Sequence, residues 1–522
     1  MEQSLTTTGI SSLVYLLITV LVVAVASKYI RIPYTVALVM AGLAIALFGI
    51  KASINLTPDL ILFIFLPSLL FEAAYNIPFS QVRENLRPIA FLALPGVILT
   101  AICLAAGVHY TVGVSWGTAF LFGAIMSATD PVSVVATFRQ LGAPRRLLTI
   151  LEGESLFNDG TALVIFRIVL GIVLTSRFGE LPALSGQFIF VVLGAIVLGA
   201  LIGYGVSLLL QRVDDYLVET TVTVVVAYGT YLLAEVVGVS GVIAVVVAAL
   251  TLGNFGHSTA MSPSTRLAVT YTWEFFGFLA NSLVFLLIGL QLNIAKLALF
   301  WPAVLLAIML VLLVRVVVVL GSGYVLRYIH RPLPYKWQAV LIWGGLRGSL
   351  ALAMALSLPF TLDTGQNFPD RDLLQVMTFG VILFTLVVQG LTMQPLLSRL
   401  QVITSSHWQE EYEAMSARRA MLEAALYELG RLREAGQVPH EDAGSLQGSY
   451  EEQIAGVDRA LGTLYLRKDD LRSEQKKSAR RRILQIEKNV VQQRYRDGII
   501  SEEPMHKLLV ELDEQIHALE EG

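Results

Sequence analysis

Long apolar runs, broken by short charged or turn-rich stretches, fill the first four hundred residues. A membrane helix needs about 20 mainly apolar residues. Reading between the breaks predicts thirteen spans, near 9–28, 33–50, 58–76, 87–108, 115–138, 147–175, 186–210, 216–237, 240–256, 267–292, 299–327, 336–358 and 372–398. The eighth and ninth are divided only by Gly238 to Gly241. Beyond residue 400 the pattern changes. Met415, Leu422, Leu426, Leu429 and Leu432 recur at mixed three- and four-residue spacing, which predicts a helix over 409–435. Gly430, Gly436 and Pro439 weaken it, and a second helical stretch covers about 450–496 before Asp497-Gly498. A third begins near Ser501, whose hydroxyl is placed to cap it ahead of Glu502 and Glu503. The pattern thus predicts an all-α polytopic membrane domain over 1–400 and a helical tail over 401–522.

Composition sharpens this division. The chain has 522 residues, 55% hydrophobic and 15% charged, with a mean hydropathy of +0.68. A soluble globular chain carries about 25% charged residues, so an ordinary soluble enzyme is disfavoured and a disordered or collagenous chain excluded. Residues 1–400 hold 17 acidic and 20 basic side chains, against 23 and 17 in residues 401–522. Over half of the charge therefore sits in the last quarter.

The basic residues also predict orientation. Loops after odd-numbered spans, with the final exit, hold Lys28, Arg31, Arg83, Arg87, Arg139, Arg145, Arg146, Arg212, Arg266, Arg327, Arg331, Lys336 and Arg399, whereas the other loops hold only Lys51, Arg177, Lys296 and Arg371. The positive-inside rule then puts the N-terminus outside and the tail in the cytoplasm, as expected of a multi-pass protein of the cell (inner) membrane. Ala24-Val25-Ala26-Ser27 resembles a signal-peptidase site, but residues 1–10 carry no Lys or Arg, so the first span is read as uncleaved. The single cysteine, Cys103, allows no internal disulfide and reads as a packing residue.

Thirteen spans divide as six, one and six, which makes the two six-helix units inverted relative to each other. Such repeats contribute interrupted helices at the bilayer midplane. Spans five and twelve occupy corresponding places. The fifth contains Ser127-Ala128-Thr129-Asp130-Pro131, where proline removes a backbone donor and disfavours helix at Asp130. The twelfth contains Gly344-Gly345-Leu346-Arg347-Gly348. Breaks are therefore expected near Asp130 and Arg347.

Ionisable groups at bilayer depth are costly and mark candidate sites. Span six is the densest, running Glu152-Gly153-Glu154-Ser155-Leu156-Phe157-Asn158-Asp159-Gly160. Asp159 is about twelve residues into the span, roughly 18 Å at ~1.5 Å per residue, near the middle of a ~30 Å core. Ser155 lies one turn earlier on the same face and Glu152 about a further turn back. A carboxylate, an amide oxygen and a hydroxyl beside a broken helix suit a hard cation. Asp159, Ser155 and Thr129 are the expected ligands of a transported monovalent cation, with Asn158 and Asp130 beside them. One carboxylate holds a proton or a metal cation but not readily both, so alternating access of an occupied site would exchange the two. The competing reading of Asp159 is a buried acid paired with an arginine.

For Glu154 that structural reading is preferred, with Arg347 as its partner. Asp130 reads equally as an outer carboxylate of the site or as the cap of a half-helix. Glu72 and Glu152 are possible funnel residues, as is Glu235, or they merely reach the interface. Glu274 and Arg315 are placed to pair with each other. Arg167 has no specific account.

Phe65-Leu66-Pro67-Ser68-Leu69-Leu70-Phe71-Glu72-Ala73-Ala74-Tyr75, Ala128-Thr129-Asp130-Pro131-Val132, Gly153-Glu154-Ser155-Leu156-Phe157-Asn158-Asp159-Gly160 and Gly344-Gly345-Leu346-Arg347-Gly348 resemble, in order, signature stretches of the cation:proton antiporter-1 family. These are sodium/proton exchangers of the NhaP and NHE type, here in a bacterial-like form. The resemblance covers about residues 10–400. It implies a homodimer of thirteen-helix protomers, each with a dimerisation domain and a core domain in which spans five and twelve cross. It implies that Asp159 binds cation and proton, that Thr129, Ser155 and Asn158 help build the site, and that Glu154 pairs with Arg347. Asn158-Asp159 resembles the electroneutral branch, which exchanges one cation for one proton. Ser68 and Phe157 depart from commoner residues without touching this chemistry.

Two other classes match parts of the sequence. Gly238-Val239-Ser240-Gly241 fits the GxSG pattern of intramembrane serine proteases, but none of the seven histidines lies mid-span to serve as base. A channel or anion carrier of the same inverted-repeat plan is the other; an anion site would need a midplane cation, for which Arg347 is the only candidate. A potassium/proton antiporter is the nearest alternative of the same fold. No enzyme activity, cofactor or nucleic-acid partner is expected; membrane lipids and an unidentified regulator of the tail are. The basic run Arg467, Lys468, Arg472, Lys476, Lys477, Arg480, Arg481 and Arg482 reads as a solvated face or as a contact for anionic headgroups.

Overall fold

The computed structural model describes residues 2–30, 32–48, 57–141, 143–175, 181–212, 215–256, 263–291, 294–329, 332–363, 365–402, 406–435, 437 and 440–467, with scattered positions from 480 to 515. Among them the chain is almost wholly helical, its one β feature being an isolated bridge between Thr361 and Asn367. Among the described residues, seven helices are long and apolar enough to cross a membrane: Leu86–Val112, Arg145–Thr175, Leu184–Leu210, Tyr216–Val237, Thr265–Gln291, Trp301–Tyr328 and Arg371–Leu400. Five shorter apolar stretches accompany them, Val14–Tyr29, Tyr34–Leu47, Leu60–Tyr75, Trp116–Ile125 and Gly241–Phe255.

Local chemistry sets the ends. Asp215 accepts from the amides of Leu217 and Val218 to start helix Tyr216–Val237, and Gly238, at φ 79°, ends it in the left-handed region. Ser240 then caps helix Gly241–Thr251 through the amide of Ile243. The GxSG stretch is thus a C-cap glycine followed by an N-cap serine, which accounts for the pattern without a nucleophile.

Several expected spans are not continuous. The fourth bends at Leu94, where Leu86–Ala93 gives way to Pro95–Val112. Single π-helical turns sit within the third, ninth and thirteenth, at Leu60–Phe65, Leu252–Gly256 and Thr385–Gln389. The fifth is Trp116–Ile125 and Val132–Leu141, separated by the non-helical residues 126–131. The twelfth is Tyr335–Trp343 and Ser349–Leu356, separated by residues 344–348. Both breaks fall where Pro131 and the glycine triplet place them.

The chain forms two compact units, Met1–Thr404 and Ser405–Gly522. Packing sorts the first into two bundles. One gathers Tyr34–Leu47, Leu66–Tyr75, Leu181–Leu210, Tyr216–Val237, Gly241–Thr251 and Pro263–Gln291. The other gathers Leu86–Ala93, Pro95–Val112, Arg145–Thr175, Trp301–Ile329 and Arg371–Phe384 with both halves of the interrupted fifth span, Trp116–Ile125 and Val132–Leu141, and the interrupted twelfth. In the first bundle a Cβ on Gly42 would meet the carbonyl of Leu286 and one on Gly289 that of Val39, so these two helices cross backbone to backbone.

In the second unit, Ser406–Glu434 and His440–Arg467 pack as an antiparallel hairpin over Leu422, Leu429, Ala443 and Leu461. Arg419 bridges to Asp458 at 2.7 Å. The basic run from Lys468 to Arg482, apart from Arg480, and about half of the expected third tail helix lie outside the described residues.

Candidate ion-binding site

The two breaks meet. The amide of Asp130 donates to the carbonyl of Leu346 at 2.9 Å, joining one non-helical segment to the other. The Asp130 carboxylate accepts from the amide of Val132 at 3.1 Å and from the backbone of Ser349. Val132 and Ser349 are the first residues of the two second halves, Val132–Leu141 and Ser349–Leu356. One carboxylate therefore caps two half-helices, where their dipoles favour negative charge. The crossing admits no side chain at Gly348, because a Cβ there would overlap the Asp130 carboxylate.

Helix Arg145–Thr175 runs past this crossing and holds it. Ser155 Oγ donates to the carbonyl of Thr129 at 2.5 Å. The Asn158 side chain donates through Nδ2 to Thr129 Oγ1 at 2.6 Å and accepts from the Thr129 amide at 3.3 Å. The polar groups of the unwound Thr129 are thus met from one neighbouring helix, as a helix interruption at bilayer depth requires.

A cavity of about 460 Å³ lies between the bundles. Thr129, Asp130, Ser155, Asp159, Gly348 and Ser349 form its inner wall. Glu72, Glu152, Glu274 and Arg139 line it farther out. Of the expected cation-site residues, Asn158 alone stands behind the wall, buried and holding Thr129 in place. Asp159, partly exposed to the cavity, makes no ion pair among the described residues. Its carboxylate is left to face whatever enters.

The ion pairing differs from expectation. Glu154 does not pair with Arg347. It pairs with Arg315, Oε1 to Nη1 at 2.5 Å and Oε2 to Nη2 at 3.1 Å, both side chains being buried. Arg315 also donates from Nη2 to the carbonyl of Leu341 at 3.0 Å, near the end of half-helix Tyr335–Trp343. The bidentate geometry explains the choice, since one guanidinium satisfies both the acid and a terminal helix carbonyl. The expected Glu274–Arg315 pair is excluded by the same contacts, and Glu274 lines the cavity instead. Arg347 is buried, its amide donating to Thr385 Oγ1 at 3.2 Å in the π-turn Thr385–Gln389, while Nε and Nη1 have no hydrogen-bond partner among the described residues. Glu152 pairs with Arg139 at 2.8 Å. Glu235 pairs with Arg167 at 2.9 Å, which gives a place to an arginine the sequence left without one.

Comparison with known proteins identifies the family. The family described as "Sodium/hydrogen exchanger, transmembrane" matches residues 16–399. The Na(+)/H(+) antiporter ApNhaP of Aphanothece halophytica is 44% identical over 406 residues, covering 78% of this chain and 77% of that one. The low-affinity Na(+)/H(+) antiporter NhaS1 of Synechocystis sp. is 40% identical over 488 residues, with 92% and 91% covered. Among solved structures, the sodium proton antiporter MjNhaP1 from Methanocaldococcus jannaschii superposes with a TM-score of 0.61 at 19% identity, covering 76% of this chain and 99% of that one, a likeness of fold. A carboxylate facing a cavity beside two crossed, interrupted helices is thus found in a chain that belongs to the sodium/hydrogen exchanger family, the monovalent cation:proton antiporters.

Proposed function

We propose that this protein exchanges one monovalent cation for one proton across the cell (inner) membrane, sodium being the expected substrate before lithium or potassium. The observation that carries the reading is the exposure of Asp159 to the cavity without an ion-pair partner among the described residues, beside oxygens of Ser155 and Thr129. A cation entering from the Glu72–Glu152 end meets the carboxylate first. The hydroxyl of Ser155, its proton committed to Thr129, offers a lone pair, and Thr129 supplies further oxygen. Asn158 and Asp130 are positioning residues, one holding Thr129 and the other holding the crossing. A hard cation suits such an all-oxygen set.

Competition supplies the coupling. A proton on Asp159 removes the charge that attracts the cation, and a bound cation displaces the proton. If the bundles move only when the site is occupied, each cycle carries a cation one way and a proton the other. Asp159 is the single carboxylate that changes occupant, because Asp130 is engaged by two helix ends, so the exchange is electroneutral. The full reading includes thirteen spans in two inverted halves, a homodimer, an outside N-terminus and a cytoplasmic tail with a regulatory role. On the positive-inside argument, the cavity opens to the cytoplasm.

The test uses sealed proteoliposomes with an internal pH dye and an imposed pH gradient. Sodium, lithium and potassium are added in turn, with the membrane potential clamped and then released. Wild-type protein should move protons on addition of its substrate cation, at a rate unchanged by the clamp. Asp159→Asn should lower that rate by at least about a hundredfold, while eluting as a folded protein. Exchange that survives in Asp159→Asn sinks this reading.

A further inference from the structure

The site is sealed on one side only, and a single helix shows where. Glu152, Asp159 and Arg167 lie along Arg145–Thr175, with Glu152 about 10 Å before the carboxylate and Arg167 about 12 Å beyond it at ~1.5 Å per residue. On the Glu152 side the cavity is open. Its cation, Arg139, pairs with Glu152 inside its own bundle, and Glu72 and Glu274 stand on the opposite bundle. On the Arg167 side the bundles touch. Gly160 packs so closely on Ile243 and Val242 that a Cβ would collide with Ile243, and Leu163, Val164 and Phe166 are buried. Beyond this seal, Arg167 reaches out of its bundle to Glu235 on helix Tyr216–Val237 of the other, Nη1 to Oε2 at 2.9 Å.

We propose that Arg167–Glu235 is a latch that holds the far side of the transporter shut, and that opening of that side requires the pair to part. The inference rests on the alternating-access reading above. The physical argument is differential. An ion pair that exists in only one of two arrangements shifts the balance between them by its own net worth, whereas a pair within one bundle, such as Arg139–Glu152, travels with that bundle and biases neither. Arg167–Glu235 crosses the moving boundary. Its side chains are 42% and 23% exposed, so its worth is that of a partly solvated pair, enough to tip an equilibrium and not enough to lock it. That is the useful range for a latch opened once in every cycle. When this side opens, Arg139 is the cation placed to meet Glu72 and Glu274 as the cavity closes.

The test reads accessibility, so it does not depend on transport. In full-length protein with Cys103→Ser and Leu163→Cys, an impermeant maleimide is applied from the Arg167 face of oriented proteoliposomes. Leu163 is buried one turn beyond Asp159 and becomes reachable from that face only when the seal opens. Glu235→Gln and Arg167→Gln should each raise the labelling rate about two- to fivefold, the population shift a partly exposed pair can supply. The reversed pair Arg167→Glu with Glu235→Arg should restore the original rate. Exchange by the same variants should show unequal changes in half-saturating cation on the two faces, not a uniform loss. Equal labelling in wild type and Glu235→Gln overturns the latch, as does a reversed pair that labels like the single variants. Loss of the Asp159 reading would appear separately, as exchange persisting in Asp159→Asn while the labelling result stands.

Discussion

Asp130 and Asp159 line the same cavity, and their surroundings assign them opposite tasks. Asp130 accepts from two helix starts and fastens the crossing; Asp159 makes no ion pair among the described residues. Each cap is worth about 0.5–2 kcal/mol, so Asp130→Ala should cost about 1–4 kcal/mol. Asp130→Asn should retain much of that, because its amide oxygen still accepts. Thermal unfolding of the purified protein checks both, and an unchanged midpoint for Asp130→Ala would contradict the capping role. The Glu154 pairing yields a second prediction. Arg315→Met strands a buried carboxylate and should destabilise by about 3–5 kcal/mol. Arg347→Met strands no acid and should cost distinctly less in the same unfolding measurement. The reverse order would restore the pairing expected from sequence. That expectation failed for a physical reason. Arg315 and Arg347 both lie deep within their spans, and hydropathy ranks depth along each helix but not the distance between helices.

At the scale of elements, the interruptions that matter were legible because they rest on local covalent chemistry. Pro131 lacks an amide proton, and three glycines flank Leu346-Arg347, so both breaks can be placed to within a few residues. The π-turns at Leu60–Phe65, Leu252–Gly256 and Thr385–Gln389 were not, since an apolar run reads the same with one extra residue per turn. One of these supplies Thr385 Oγ1 to the amide of Arg347, so part of the second break is supported from an element the sequence hides. The crossing itself depends on Gly348. Gly348→Ala should drive the two segments apart through contact with Asp130 and reduce exchange by at least about tenfold, with membrane insertion preserved. Exchange at the wild-type rate in this variant would mean that the crossing tolerates a side chain and that its closeness is incidental.

For the whole molecule, the division into a membrane unit and a helical tail follows from where charge and apolar residues fall along the chain. The cavity does not. Its walls come from residues 66–76, 128–139, 152–159, 274–281 and 348–351, brought together by packing between bundles that no local pattern specifies. On the proposed reading, the Asp159 carboxylate in this cavity reaches one side at a time, and cation and proton are rivals for it. The most direct test of that rivalry is the half-saturating sodium concentration for exchange, measured as a function of pH on the cavity side. As pH falls, protonation of Asp159 removes the charge the cation needs, so half-saturation should rise, approaching about tenfold per pH unit where the protonated form dominates, while the maximal rate is reached again at high sodium. A half-saturating concentration that stays constant as the pH changes, with only the maximal rate falling, would place the proton and the cation on different groups and contradict the account.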